Sequence, residues 1–391
     1  MRFPGFTDEW KETTIGDMAI IEKGNGISKD QLSDEGEECI LYGELYTKYR
    51  SEIINEVYSK TDIDSSKLTR SQANDLIIPC SGETAADIAT ARCVRKDGIL
   101  LGGDLNIIRF NNQDGAFMSY QLNGKRKYDI ARVAQGVSVV HLYPDHLKSV
   151  KVYTPQIKEQ QKVVTLLSRI DERIATQNKI IDDLQSLIKG LIQYLIHDGI
   201  KNGSWRNVML SEILTQRNEL NTKYHPVHSV SVSSGVINQI EYLGRSFAAK
   251  DTAHYHVVNH GDIVYTKSPT GNQPYGIIKQ SHCMNPAAVS PLYGVYEPVS
   301  FEVGNILHHY FLNPLNTNNY LLPLIQKGAK NTINISNQRF LENSIPFPTN
   351  NAEICCVSMM LSSIDSKIKL ENKTLDTFIK QKRYLLNMLF I

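Results

Sequence analysis

The sequence predicts an α+β protein in which two similar mixed globular domains are joined by two long helices that form an antiparallel coiled coil, with approximate two-fold symmetry. A helical motif occurs twice, about 194 positions apart, in "LLSRIDERIATQNKIIDDLQ" from Leu166 and "LSSIDSKIKLENKTLDTF" from Leu361. Shorter echoes precede the two copies, such as "NDLIIPCSG" from Asn74 and "GDIVYTKSP" from Gly261. The segments between the helices contain short β-like runs punctuated by Gly, Asn, Pro and Asp, a pattern typical of mixed domains with large loops.

The repeat divides the chain into four segments. We expect a first globular domain at 1–155, a first helix at 156–198, a second globular domain at 199–349 and a second helix at 350–391. Thr154 followed by Pro155 predicts the N-terminal cap of the first helix, and Gly199 predicts its end. Asn350, with Glu353 three residues later, predicts the cap of the second helix.

Both helices carry an apolar seam whose members step by alternating four and three positions, the heptad spacing of a coiled coil. The seam positions assigned to the helix contact are Ile170, Ile174, Ile181, Leu184, Ile364, Ile368, Leu375 and Phe378. Either the two seams cover each other or each helix packs on its own globule; so strict a seam favours the first. Because the second globule begins soon after the first helix ends, the second helix must run back along the first. The polar seam residues Gln177, Glu371 and Lys382 either fix the register or lie where the coil opens to a partner.

Composition restricts the class of protein. The 391 residues are 41% hydrophobic and 21% charged, with a net charge of +1, which is ordinary for a globular protein. No apolar run approaches the roughly 20 residues of a membrane-spanning helix, and the start lacks the pattern of a signal peptide. The six cysteines show no metal-ligand spacing. We therefore predict a cytoplasmic protein with no membrane partner.

Catalytic signatures are missing from the sequence. It contains no G-x-x-x-x-G-K-[ST], G-x-G-x-x-G or G-x-S-x-G motif. His254, His256 and His260 are close in sequence, but they lack a Cys, Asp or Glu at ligand spacing, which favours ordinary surface or hydrogen-bonded histidines over a metal site. We predict no catalytic residue and no metal, and favour a binding role. A net charge near zero excludes tight DNA binding by counterion release alone.

Several segments are similar to segments of a known protein family. They are "RFPGF" near the start, "YGELYTKY" from Tyr42, "SGETAADI" from Ser81 and the long "PQIKEQQKVVTLLSRIDERIATQNKIIDDLQSLIKGLIQYLI", which includes "KGL" at Lys189. In these segments and in the order globule, helix, globule, helix, the chain resembles the DNA-specificity (S) subunit of type I restriction–modification systems over essentially its whole length. One departure is Tyr384 in the second helix, where the first helix has Gly190.

The resemblance implies a function. Each globule would be a target-recognition domain that reads one half of an asymmetric bipartite site in double-stranded DNA, and the coil would set the spacer and dock two modification subunits. The chain would be non-catalytic, with S-adenosylmethionine, ATP and Mg²⁺ on partner subunits. Those partners would methylate adenine N6, and restriction subunits, where the host encodes them, would translocate and cleave DNA. The alternatives are a coiled-coil adaptor that bridges proteins and a self-contained DNA-modifying enzyme.

The candidate DNA-binding residues are polar side chains and loop backbone that recur in both halves, since base edges are read by paired donors and acceptors. In the first globule they are Tyr42, Glu44, Tyr46, Thr47, Lys48, Ser81, Gly82, Glu83, Thr84, Gln135, Gly136, Val137, Ser138 and Val139. In the second globule they are Lys267, Ser268, Gln273, Tyr275, Lys327, Gly328, Ala329, Lys330, Asn331 and Thr332. The alternative is that several of them only shape turns, and that Tyr42 and Tyr46 are buried packing residues.

Overall fold

The computed structural model describes residues 2–136, 139–246, 248–267, 271, 273–327 and 333–390. Contacts divide the chain into two compact units, one formed by Met1–Asn178 with Lys373–Ile391 and the other by Lys179–Asn372. Each unit therefore combines one globule with one half of each long helix.

Short strands and helices alternate irregularly in the first unit. In chain order its strands are β1 (Lys11–Thr14), β2 (Ala19–Lys23), β3 (Glu37–Ile40), β4 (Ile53–Ile54), β5 (Ser59–Thr61), β6 (Leu76–Pro79), β7 (Ser81–Gly82), β8 (Arg92–Val94), β9 (Leu100–Leu101), β10 (Leu105–Phe110), β11 (Val140–His141) and β12 (Lys151–Thr154). Its helices are α1 (Ile15–Met18), α2 (Glu44–Thr47), α3 (Ala85–Ile88), α4 (Gly115–Asn123), α5 (Lys127–Val133), α6 (Pro144–Lys148) and the start of α7 (Ile157–Asn202), with a 3₁₀ turn at Lys29–Gln31.

A five-stranded sheet in the order β2-β10-β6-β8-β4 forms the centre of this unit. Its neighbours are antiparallel except for β8 and β4, which are parallel. Strands β5, β3 and β9 form a smaller sheet, and β7 pairs with β11. Strand β1 pairs antiparallel with β12, so the chain enters and leaves the globule side by side.

The second unit has a similar irregular make-up. Its strands are β13 (Trp205–Met209), β14 (Leu214–Gln216), β15 (His228–Ser231), β16 (Gly235–Asn238), β17 (His256–Val258), β18 (Ile263–Tyr265), β19 (Ile278–Gln280), β20 (Ala287–Val289), β21 (Gly294–Pro298), β22 (Gln326–Lys327), β23 (Ile333–Asn334) and β24 (Ser344–Pro348). Its helices are α8 (Leu210–Ile213), α9 (Gln239–Leu243), α10 (Phe301–Tyr310), α11 (Pro314–Leu321), α12 (Asn337–Phe340) and the start of α13 (Asn351–Leu389), with a 3₁₀ turn at Leu322–Leu324.

The two units repeat one internal plan. The sheet order β14-β21-β18-β19 in the second unit matches β2-β10-β6-β8 in the first, and β13 pairs with β24 as β1 pairs with β12. A buried aspartate before the central strand is held by an arginine in both units, Asp75 by Arg109 and Asp262 by Arg217. The prediction of an α+β fold with two similar mixed globules and two long helices is confirmed.

The long helices pack on each other within each unit. In the first unit Asp171 of α7 contacts Lys382 near the end of α13, and in the second Ile192 near the end of α7 shares a core with Leu361 of α13. In both units the later part of one helix meets the earlier part of the other, the antiparallel sense that was predicted. Of the predicted seam residues, Ile170 and Ile181 are buried, and Ile174, Leu184, Ile364, Ile368, Leu375 and Phe378 are half-buried.

Lys382 is the polar seam residue with the clearest role. Its ammonium forms ion pairs with Glu52 of the first globule and with Asp171, whose Oδ1 lies 2.6 Å from Nζ. Tyr120 and Ser51 donate hydrogen bonds to the other oxygen of Asp171, at 2.7 Å and 3.2 Å. These contacts tie the end of α13 to the first globule, so this polar position specifies where the helix end docks.

Two of the predicted helix boundaries are wrong and one cap is confirmed. Thr154 is the last residue of β12 rather than a helix cap, because its backbone is extended in the pairing with β1. Helix α7 continues through Gly199 to Asn202 and is followed by Gly203 at φ +80°. A Cβ at Gly199 would lie 2.1 Å from Cδ1 of Trp205, so this glycine allows close packing instead of ending the helix. Asn350 caps α13, its Oδ1 accepting from the amide of Ala352.

Candidate nucleic-acid interface

A cleft of about 920 Å³ opens on the first globule. Its lining comes from three segments, which run from Gly26 to Leu32, from Leu41 to Lys48 and from Gly103 to Asp104. Four predicted residues line it, namely Tyr42, Glu44, Thr47 and Lys48. Helix α2 thus forms one wall of a recess that aliphatic side chains such as Ile27, Leu32 and Leu41 line together with polar ones.

Glu44 lines the cleft, but its carboxylate is occupied by contacts within the globule. It is buried, its Oε2 accepts from the amide of Leu41 at 2.9 Å, and its Oε1 forms an ion pair with Lys48. Ser59 donates a hydrogen bond to the same carboxylate. Because both carboxylate oxygens are occupied, Glu44 stabilises the cleft, whereas Thr47 and Lys48 keep exposed surface.

Tyr46 links the first predicted group to the second. Its side chain is half-buried, and burial raises its pKa, with smaller contributions from Tyr42, Asp87 and Glu83. Tyr46, on helix α2, is therefore close enough to the turn that begins α3 to sense the charges of Asp87 and Glu83. Thr84 caps that turn, because the amide of Asp87 donates to its Oγ1 at 3.1 Å.

The second and third predicted groups meet through a strand pair. Gly82 and Ser81 of β7 pair in register with Val140 and His141 of β11. Gln135 and His141 exchange backbone hydrogen bonds of 2.9 Å and 2.7 Å, which closes the loop between them. Glu83, Gln135, Gly136 and Val139 are exposed. Val137 and Ser138 fall outside the described residues. The structure therefore brings the described members of the three predicted groups of the first globule to one surface.

Residues that the sequence did not single out complete this surface. Ser81 donates to Oδ2 of Asp104 at 3.1 Å, and Nζ of Lys23 lies 5.9 Å from the centroid of the Tyr143 ring. His141 stacks on Tyr143 with ring centroids 6.0 Å apart. The aromatic and histidine alternation in "HLYPDH" was the available signal, since interleaved aromatic and basic groups are typical of nucleic-acid surfaces. Asp104 had no such signal.

The predicted residues of the second globule are described only in part. Gln273 is buried, and Lys267 is half-buried, which lowers the pKa of its ammonium. Tyr275 packs partly on the core, and its carbonyl accepts from the hydroxyl of Tyr265 at 2.8 Å. The remaining members lie outside the described residues, or, for Lys327, have a described backbone only: Ser268, Gly328, Ala329, Lys330, Asn331 and Thr332. Their DNA contacts stay a prediction.

Metal clusters and membrane-spanning helices are absent from the described part of the chain. No group of three or more His, Cys, Asp or Glu side chains in the described ranges is arranged to hold a metal ion. None of the described helices combines the length and the apolar character that a membrane crossing requires.

The chain is similar in sequence to known specificity subunits. Residues 7–186 match the family described as type I restriction modification DNA specificity domain. The chain is 23% identical, over 98% of its length and 92% of the relative's, to the type I restriction enzyme MjaVIII specificity subunit of Methanocaldococcus jannaschii. It is 27% identical to the putative type I restriction enzyme specificity subunit S.HindORF215P of Haemophilus influenzae, over 41% of this chain and 40% of that protein.

Solved structures share the fold over the full chain. The type I restriction–modification S subunit from M. genitalium superposes with a TM-score of 0.60 at 15% identity, covering 100% of this chain and 97% of that one. A chain from a structure described as showing complex assembly and conformational transition of the type I R-M system gives a TM-score of 0.52 at 12% identity, with coverage of 98% and 97%. Residues 7–186 thus match a type I restriction modification DNA specificity domain, and the whole chain is similar in sequence and in fold to type I restriction–modification specificity subunits.

Proposed function

We propose that this chain reads an asymmetric bipartite site in double-stranded DNA, with one half-site for each globule, and carries no catalytic residue of its own. The observation that supports this most directly is the repeated sheet frame, whose four-strand order recurs while the connecting loops differ. A common frame with unlike loops suits two readers of different sequences, because loops on a rigid scaffold commonly carry recognition. The first-globule surface around the 920 Å³ cleft supplies candidate contacts.

The coiled coil would hold the two readers and dock two modification subunits. An exposed apolar stripe on α7 supports docking, since Ile180, Leu187 and Tyr194 are 37%, 52% and 63% exposed at seven-residue spacing. Such a stripe on a soluble protein marks a protein contact. S-adenosylmethionine would be held by the docked subunits, which would transfer its methyl group to adenine N6. Restriction subunits, where present, would use ATP and Mg²⁺.

Methylation mapping tests the function. The full chain is expressed with its modification partner in a host that lacks this activity, and methylated adenines are mapped across the genome. We expect one bipartite motif with a fixed gap, absent when this chain is omitted. Replacing the second globule (199–349) by that of another specificity subunit should change one half of the motif only. An unchanged adenine pattern with the partner present overturns the proposal.

The docking surface has a separate test. Leu187→Lys places a charge in the middle of the exposed stripe and should abolish co-purification of the modification subunit. Asp182→Lys, at an exposed position of the same helix on a different face, is the matched control and should leave co-purification intact. If purified chain alone methylates or cuts DNA when given S-adenosylmethionine or a divalent metal, the enzyme alternative replaces this proposal. Stable partner binding without sequence-selective retention of DNA would favour the adaptor.

A further inference from the structure

Asp104 and Leu292 occupy the same position of the repeated sheet in the two units. The central strands β6 and β18 begin at equivalent places in the two sequence echoes. Their first residues pair across the sheet with Ile108 of β10 and with Tyr296 of β21, respectively. Four residues before each of these partners, in the turn that enters the strand, stand Asp104 and Leu292. At this equivalent position of the sheet, the first unit therefore has an acidic side chain and the second has an aliphatic one.

Asp104 is held in a fixed orientation on the surface that carries the predicted DNA-binding residues. Its backbone has φ +59°, a conformation that costs free energy for a non-glycine residue and is often retained at functional sites. The amide of Cys80 donates to its carbonyl at 2.6 Å, and the hydroxyl of Ser81 donates to Oδ2. The side chain is exposed and lines the cleft, and no described residue donates a hydrogen bond to its Oδ1.

A carboxylate on a DNA-binding surface has few favourable partners. It only accepts hydrogen bonds when ionised, and phosphate oxygens repel it. In the major groove the base-edge donors are the amino groups of cytosine N4 and adenine N6. Lys23 and Lys29 lie on the same surface, Lys29 in the cleft lining and Lys23 over Tyr143. Cations of this kind can take the neighbouring phosphates, which leaves the carboxylate free to face a base.

Leu292 presents the opposite chemistry. It is 71% exposed, so burying its side chain against an apolar partner would be favourable. In the major groove the apolar feature that distinguishes one base from the others is the 5-methyl group of thymine. The amide of Leu292 donates to Oγ of Ser290 at 3.3 Å, which orders the turn that carries it.

We propose that this shared turn position is a specificity-determining position of both readers. In the first half-site Asp104 accepts a hydrogen bond from the exocyclic amino group of cytosine or adenine. In the second half-site Leu292 packs on the methyl group of thymine. This assignment rests on the proposed function, and it names one contact in each half of the motif.

Methylation mapping with single substitutions in the full chain, co-expressed with its modification partner, tests the assignment. Asp104→Asn keeps the volume but adds donors, and should reduce discrimination at one position of the first half-site about tenfold, which corresponds to about 1.4 kcal/mol. Leu292→Asn should do the same at one position of the second half-site. The matched controls are Asp34→Asn, an exposed acid outside the cleft, and Leu315→Ala, whose side chain is 70% exposed on α11. Both controls should leave the motif unchanged.

The outcomes separate the assignment from the function on which it rests. A bipartite wild-type motif that stays identical in both variants overturns the assignment while the proposed function stands. Loss of all methylation with a lowered thermal midpoint also overturns it, because the residue would then be a folding residue. A wild-type chain that directs no bipartite methylation overturns the proposed function and the assignment together. Change in only the half-site assigned to the substituted unit supports both.

Discussion

Trp10 and Trp205 lie near the starts of the two globules at the same place in the repeat, yet they contact different long helices. Trp10 packs against Phe390 at the end of α13, with ring centroids 6.2 Å apart, whereas Trp205 packs on Gly199 near the end of α7. Each globule therefore covers the C-terminal end of the long helix that finishes in its own unit. The contact between a tryptophan and a helix end is thus present in both units, but α13 supplies the helix end in the first unit and α7 supplies it in the second.

The polar partners of these two rings also differ. Nε1 of Trp205 donates to Glu353 at 2.7 Å. The equivalent glutamate in the first unit, Glu159, is instead paired with Arg2 through two hydrogen bonds, and Nε1 of Trp10 has no hydrogen-bond partner among the described residues. The equivalent glutamates, Glu159 and Glu353, thus bind different elements in the two units.

Buried charges show the same divergence at the coil. The seam position of Lys382 in the first unit is occupied by Ile188 in the second, and the partner aspartate, Asp365, lies 3.0 Å from Nε2 of His309. Nδ1 of His309 lies 2.8 Å from the carbonyl of Asn305, so the imidazole lies between a backbone carbonyl and the Asp365 carboxylate. One unit joins helix and globule through a lysine with two carboxylates, and the other through an apolar seam with a separate histidine contact.

Removal of the Lys382 cation should give the largest effect. Lys382→Met leaves the carboxylates of Glu52 and Asp171 buried without it, and should lower the free energy of unfolding of the first unit by about 3–5 kcal/mol. Hydrogen exchange of the α4 amides in the full chain reports this loss. Ile188→Met, at the equivalent seam position of the second unit, conserves volume and should cost less than about 1.5 kcal/mol. Similar losses from the two substitutions would contradict the comparison.

The pH dependence of stability distinguishes two buried lysines. Burial lowers the pKa of Lys279 in the second unit to about 8. Burial also acts to lower the pKa of Lys382, but the charges of Glu52 and Asp171 outweigh it and raise that pKa above its usual value. Between pH 8 and the ordinary lysine pKa of about 10.4, the unfolded chain binds more protons at Lys279 than the folded chain. The free energy of unfolding of the second unit should therefore rise by about 3 kcal/mol across this window.

Urea midpoints measure this rise. In a Trp10→Phe chain, the fluorescence of Trp205 reports the second unit alone, since the sequence has 2 tryptophans. Lys279→Met should remove the rise between pH 8 and pH 10. The contribution of Lys382 is present throughout this window and is lost only as the pH passes its raised pKa. A midpoint in the Lys279→Met chain that still rises as in wild type would exclude Lys279 as the cause.

The heptad seam and the duplication were predictable because periodic patterns extend over many residues, and the Asn350 cap because an asparagine before a helix has a local signature. The Thr154 cap failed because pairing with a distant strand extends its backbone. The prediction from Gly199 was wrong because a glycine is needed there for close contact with a side chain beyond the helix end, and not to end the helix. Burial of Glu44 and the position of Asp104 depend on contacts between distant segments, which a single sequence does not display.

The two tryptophans give a matched pair of smaller effects. Trp205→Phe removes a hydrogen bond to a charged group, an interaction that contributes about 1.5–3 kcal/mol, together with some packing. Trp10→Phe makes the same change in volume but removes no such bond, so its cost should be lower by about that amount. Hydrogen exchange of the paired strands β24 and β12 measures the two losses separately. A larger loss for Trp10→Phe would show that packing outweighs the bond to Glu353.

Two glycines of α7 should give effects of opposite sign, and the gain at Gly190 should be the smallest change of all. Gly199→Ala places a methyl group 2.1 Å from the Trp205 ring, and overpacking of this kind usually costs about 1–3 kcal/mol. Gly190 has open space at its Cβ position, so Gly190→Ala should stabilise the helix by about 0.5–1 kcal/mol. Urea midpoints followed by Trp205 fluorescence should therefore fall for the first variant and rise for the second. If both midpoints fall, a side chain at position 190 is also unfavourable. Co-purification of the modification subunit with Gly190→Ala would then test whether a docked partner contacts this position.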